Sequence, residues 1–206
     1  MRASLSIAAA LVGAAAAAPK IPFASTTDTI PGAPLVYTRQ STSACFLIGD
    51  ETLPAETADI AADLASSVTC SSSVTTIANV PDVISGSTAF SSIDFSQSSQ
   101  TPLTFALSKF ATASPLADTD LATFQDMLDV YQATEAGIRS VGGSLAIKVP
   151  KFFLEMQVSR IQTAQGNPPT AAGLQVDHLR DKVLKNAPKE SQTLLDQVTA
   201  LATQLS

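Results

Sequence analysis

A mainly α-helical fold is predicted: an antiparallel helical bundle of about five to six helices with a minor β-hairpin and one disulfide. Three observations in the 206-residue sequence lead there. From about residue 54 onward, apolar residues recur every three or four positions in successive segments, the period of helices with one buried face. Pro and Gly break these segments at short intervals, which folds consecutive helices back on one another. Two cysteines fit a single covalent staple. With 45% hydrophobic residues, the chain holds enough apolar material for one core, and its length suits one domain with a tail.

Residues 1–17 read as a signal peptide. Met1-Arg2 supplies one positive charge, Ala3 to Ala16 is a small and apolar run, and Ala15-Ala16-Ala17 fits a small-x-small cleavage site. The run is short for a membrane span at about 15 residues, and no later stretch reaches about 18, so no membrane span is expected. Residues 18–43 carry Pro19, Pro22, Pro31 and Pro34 among Ser, Thr and Gly without an apolar period, as a flexible arm would. Residues 44–206 then form a single helical domain. The expected location is extracellular, in the medium or in a cell wall.

Secretion decides how the cysteines read. In an oxidising compartment Cys45 and Cys70 are most simply one disulfide, with two free buried thiols as the alternative. Closing a loop of about 26 residues stabilises the fold by roughly 3.5 kcal/mol in the chain-entropy model. The pair flanks a predicted helix over 54–67, opened by Pro54 and Glu56 and carrying Ile60 and Leu64 on one face. Such a helix spans about 21 Å, while bonded cysteines need Cα atoms within about 7 Å. Phe46, Leu47 and Ile48 are therefore expected to return along the face of Ile60 and Leu64.

Between residues 71 and 100, Val74–Ile77 and Ala89–Phe95 are short, β-branched or aromatic, and bounded by Pro81, Gly86 and serines, which predicts two short strands. Thr101-Pro102 then caps a helix over 102–113 with Leu103, Ala106, Leu107 and Phe110 inward. A longer helix over 119–141 places Leu121, Phe124, Leu128, Tyr131, Ile138 and Val141 on a 3-4 repeat, closed by Gly142-Gly143. The next runs over 150–165 and stops at Gly166. Asn167-Pro168-Pro169 breaks the chain before helices over 171–186 and 189–205.

The formal charge of −6 argues against nucleic acid, which needs a basic surface to neutralise phosphates. Charge is uneven: residues 18–147 hold 4 basic and 13 acidic side chains, whereas residues 148–206 hold 7 and 5, so electrostatic docking of the last three helices on the first part is expected. His178 is the one histidine. It lies among Asp177, Arg180, Asp181 and Lys185, spaced as a solvated helix surface with Asp177–Arg180 and Asp181–Lys185 pairs. Gly142-Gly143-Ser144 lacks the strand–turn–helix setting of a nucleophile elbow, and neither a phosphate loop nor four zinc ligands occur. No catalytic, cofactor-binding or metal-ligating residue is assigned.

Val149-Pro150-Lys151-Phe152-Phe153-Leu154-Glu155-Met156 is the most informative segment for binding. Adjacent helical residues point about 100° apart, so Phe152 and Phe153 require a helix buried on a wide face, or one of them lines an apolar pocket or patch with Met156. Phe152, Phe153 and Met156 are accordingly the candidate apolar site.

Several stretches carry a resemblance: Ala44-Cys45-Phe46-Leu47-Ile48-Gly49, Phe110 to Leu116, Glu135 to Gly143, Val149 to Phe153 and Arg160 to Pro169. On these the chain resembles an uncharacterised family of small secreted proteins from filamentous fungi, over about residues 44–206. The shared residues are punctuation and core, and the resemblance implies no activity. Fungal hydrophobic-surface-binding cell-wall proteins are similar in size, secretion and helical content, without a shared motif. Function is thus expected to be binding without catalysis, as a cell-wall or surface protein or a secreted effector. The partner expected is an unknown protein, a wall component or an apolar ligand. The alternatives are a carrier of an apolar small molecule between helices, and a secreted enzyme using carboxylates. A pocket lined by two or more buried acids favours the enzyme; one lined by Phe, Met and Leu favours the carrier.

Overall fold

Two α-helices of the described residues open on a short polar cap and two close on glycine. Thr101 and Asp120 accept from backbone N–H groups of the helices they open, Thr101 Oγ1 from Thr104 N at 3.3 Å and Asp120 Oδ1 from Ala122 N at 3.0 Å. Gly142 (φ 64°) and Gly166 (φ 82°) each close a helix with a Schellman motif. At the first, Gly143 N donates to Ile138 O and Gly142 N to Arg139 O; at the second, Asn167 N donates to Gln162 O and Gly166 N to Thr163 O.

A computed structural model describes residues 44–206. The expected signal peptide (1–17) and arm (18–43) lie outside the described residues. The elements are α1 (Ala55–Leu64), β1 (Thr69–Thr75), β2 (Pro81–Ser85), β3 (Thr88–Ala89), α2 (Pro102–Lys109), α3 (Leu121–Ser140), α4 (Lys148–Ala164), α5 (Val176–Asn186) and α6 (Gln192–Thr203). The fold is mainly α, an antiparallel helical bundle with a small sheet and one disulfide. Among the described residues no helix is long and apolar enough to cross a membrane.

The sheet departs from the expected pair of strands. Its order is β1-β2-β3, all antiparallel, with Cys70 opposite Val83 and Ser85 opposite Thr88. β2 begins at Pro81, whose missing N–H hides a strand that buries Val83 completely. Of the expected strand at 89–95 only Ala89 pairs; Phe90–Ile93 and Phe95–Gln97 are 3₁₀ turns that turn Phe90, Ile93 and Phe95 into the core. α4 starts at Lys148, two residues before Pro150, because first-turn N–H groups have no helical acceptor for proline to remove.

α3 is the hub of the packing. Tyr131 is fully buried, donates from its hydroxyl to Ile93 O at 2.7 Å, and meets Phe90 and Phe110 edge-on at 5.0 and 5.7 Å. A Cβ at Gly137 would stand 2.6 Å from Phe46 O and 2.7 Å from Val80, so only glycine lets the N-terminal segment and the sheet approach this helix. One turn on, Ser140 Oγ accepts from Ile48 N and Gly49 N and donates to Gly137 O. Phe46 is fully buried with its carbonyl against α3 at Gly137, whereas Ile48 is 41% exposed and so is not covered as the expected return over Ile60 and Leu64 would have it. The Cys45–Cys70 disulfide, with Cα atoms 5.9 Å apart, ties this segment to β1.

The β1–β2 connection holds Ala78 (φ 56°) and Asn79 (φ 62°) in the left-handed region, with Val80 N donating to Ile77 O, as in a type I′ turn. Asn in place of Ala tolerates that region better. Ala78→Asn should raise the unfolding free energy by about 0.5–1 kcal/mol, read from the shift of a urea midpoint.

Ser85 Oγ stands 3.1 Å from Asp129 Oδ2 and 3.2 Å from Asp126 Oδ1. Burial pushes the Asp129 carboxyl above the usual range, against the Ser85 hydrogen bond and with help from the Asp126 charge. The folded state thus holds this proton more tightly than the unfolded chain, and that stabilisation is lost as pH rises through the native pKa. Asp129→Asn should raise the urea midpoint at about pH 7, and the gain over wild type should vanish at about pH 3, below the unfolded pKa.

Candidate functional site

Where α1, α3, α4 and α5 meet, charged side chains enclose a cleft of about 100 Å³. Its centre is Glu135 of α3, which is 4% exposed. One oxygen of Glu135 accepts from Arg139 through Nε at 2.8 Å and Nη2 at 2.7 Å; the other lies 3.0 Å from Lys151 Nζ of α4. Lys151 also reaches Glu155 at 3.5 Å, and Gln132 Nε2 donates to the same Glu155 oxygen at 3.2 Å. This network holds α3 against the first half of α4.

The electrostatics follow from burial and pairing. Burial disfavours the Lys151 ammonium, but the facing Glu155 and Glu135 carboxylates outweigh it and hold its pKa above the ordinary lysine value. Burial pushes the Glu155 carboxyl up, although Lys151 and the Gln132 amide act the other way. Glu135, with three N–H donors from Arg139 and Lys151, is the counter-ion of this ammonium. Lys148 is shifted down by desolvation first and then by the Arg139 charge.

Phe152 forms one wall. Lys151 Nζ lies 4.0 Å from its ring centroid and Lys182 Nζ of α5 lies 5.6 Å away. Lys148 and Lys182 line the same cleft, and no carboxylate among the described residues lies within 4.0 Å of either nitrogen. The cleft lining therefore carries four cations against Glu56 and Glu135.

The three residues singled out for an apolar site separate here. Phe153 and Met156 are fully buried in the core, while Phe152, a third of a turn away, faces the charged cleft. His178 is exposed on α5. Arg180 pairs with Asp177 at 2.7 Å as expected, but takes Asp181 as well at 2.9 Å, in place of the Asp181–Lys185 pair. Among the described residues one ion pair, Lys151–Glu135, joins the acidic first part to the last three helices, so that docking is chiefly apolar. No group of three or more His, Cys, Asp or Glu among the described residues could hold a metal ion.

Sequence reasoning did not single out Glu135, Arg139, Lys148 or Lys182. The i,i+4 spacings Glu135–Arg139 and Lys151–Glu155 were visible, but equal spacings occur on solvated surfaces. Only the tertiary contact turns them inward.

The chain belongs to the DUF7143 family, a domain of unknown function, whose model matches residues 47–206. No curated protein and no solved structure matches it.

Removing Lys151 takes its ammonium from two buried carboxylates and leaves Glu135 with Arg139 alone and Glu155 with only the Gln132 amide. Lys151→Met should cost about 3–5 kcal/mol in chemical denaturation. Adding Glu135→Gln should recover part of that loss, the double-mutant cycle giving the coupling between the two residues.

Proposed function

We propose that this member of the family is a secreted, non-catalytic helical protein that acts by binding, at a cell wall or surface or as an effector, and that its charged cleft receives an anionic group of the partner. The observation that carries this reading is the cationic excess around Glu135 in a chain whose net charge is −6. Lys148 and Lys151 also sit in the first turn of α4, where the helix dipole disfavours cations and favours an anion.

Two features weigh against carboxylate catalysis in this cleft. Both oxygens of Glu135 are already engaged, one by Arg139 and the other by Lys151. Lys151 is kept protonated by its two carboxylates, so its own amine is not available as a nucleophile. Against an apolar carrier at this position stand the charged walls, with Phe152 and Ile60 as minor apolar lining. Secretion and the signal peptide remain part of the proposal, and the disulfide is compatible with both.

The test is retention on a polygalacturonate resin, a polyanion. Wild-type protein should be retained at about 20 mM salt and elute as screening shortens the Debye length. Lys148→Glu/Lys182→Glu should pass through. Lys185→Glu/Lys189→Glu, the same charge change outside the cleft, should be retained. Flow-through of the wild type, or equal behaviour of the two double variants, would sink the reading.

A further inference from the structure

A second cleft, of about 300 Å³, opens between the loop after α2, the second half of α4 and the end of α6. Its size is at the lower end of ligand pockets, about 300–1,000 Å³. Arg160 of α4 lines it and is 2% exposed. No carboxylate among the described residues lies within 4.0 Å of this guanidinium. Its acceptors are neutral: Nη1 donates to Gln157 Oε1, and Nη2 donates to Gln204 O at 2.8 Å. Nε is buried without an acceptor among the described residues.

The position is built, not incidental. Phe110 O accepts from Gln157 Nε2 at 2.8 Å, which turns the other end of that amide, its oxygen, toward Arg160. A buried cation whose hydrogen-bond acceptors are both neutral, with no carboxylate within 4.0 Å among the described residues, lacks the direct pairing that buried charges normally have. Desolvation accordingly lowers the Arg160 pKa from its usual value. A planar fork of N–H donors matches a carboxylate in particular, because two oxygens can be taken at once. Around it the walls are mixed: Leu107, Leu116 and Leu201 are apolar, while Thr112 and Ser114 offer hydroxyls.

We propose that this cleft is a binding site for a small organic acid, whose carboxylate is held by Arg160 and whose apolar body lies against Leu107, Leu116 and Leu201. The site is separate from the charged cleft around Glu135 and does not depend on the function assigned to it. Displacing the Gln204 carbonyl from Nη2 would free a second donor for the ligand, so the last residues of the chain respond to occupancy.

Hexanoate is the probe, with hexan-1-ol as its uncharged counterpart and inorganic phosphate as an anion without an apolar body. In titration of the full chain followed by NMR, hexanoate should bind with Kd of about 1 mM or tighter and shift the amides of Thr112 and Gln204. Hexan-1-ol and phosphate should each bind at least about tenfold more weakly. Arg160→Lys keeps the charge but loses the fork and should weaken hexanoate at least about tenfold. Leu107→Trp leaves the guanidinium intact, fills the apolar wall, and should do the same should Arg160→Lys fail to fold. Equal binding of hexanoate and hexan-1-ol, hexanoate affinity unchanged in a folded variant, or no hexanoate binding would each overturn the proposal.

Discussion

The contact on which the arrangement depends is the buried ion pair between Glu135 and Lys151. It joins the middle of the fold, α3, to the helix that follows it, α4, at a point closed to most solvent. A charge pair in such a place does little for stability compared with apolar groups of the same size, but it is intolerant of losing one member. It therefore fixes position more than it adds energy. Arg139 and Gln132 on α3, and Glu155 on α4, complete the hydrogen-bonding that burial demands. The helices are held in one relative placement, and Lys148, Phe152 and Lys182 are left facing the cleft.

A different constraint ties the start of the domain to that frame. Residues 46–49 cross the last turns of α3, where Gly137 allows the backbone close and Ser140 supplies a hydroxyl to two N–H groups. Gly49 is needed as well, since a Cβ there would stand 2.1 Å from Ser140 O. The disulfide then links this segment to β1. Because the same α3 turn carries Glu135 and Arg139, the covalent staple and the charged cleft share a support.

How far the fold was legible depended on whether a signal was local. All six helices show in the apolar period, and both Schellman glycines mark their stops in sequence. β2 was not legible, because Pro81 and Asp82 open it and the type I′ turn before it is made by Ala78 and Asn79, without the glycine that signals such a turn. Phe90 and Phe95 suggest strand by composition, yet their burial around Tyr131 is reached by 3₁₀ turns. Propensity gave way to packing there. The pairing of Cys45 with Cys70 was readable by elimination, whereas the path of Phe46 to α3 was not. The charged cleft draws on four helices, so no window of sequence contains it.

α4 lines both clefts. Its sequence is only weakly amphipathic, and the reason is that nearly every residue from Val149 to Ile161 is buried, Lys151, Gln157 and Arg160 included. A helix covered on all sides must answer each polar group from its neighbours. Lys151 is answered twice, by Glu135 and Glu155. Arg160, about 13 Å further along the axis at 1.5 Å per residue, is answered by two amide oxygens and by no charge. Among the described residues, Ser159 Oγ and Arg160 Nε are the buried side-chain groups of this helix left without a partner. Such unpartnered groups concentrate where a protein meets a ligand, because the missing partner is then supplied from outside. Read along α4, the two clefts are the same requirement met in two ways: at one end the counter-charge is built into the fold, and at the other it is left to be brought in.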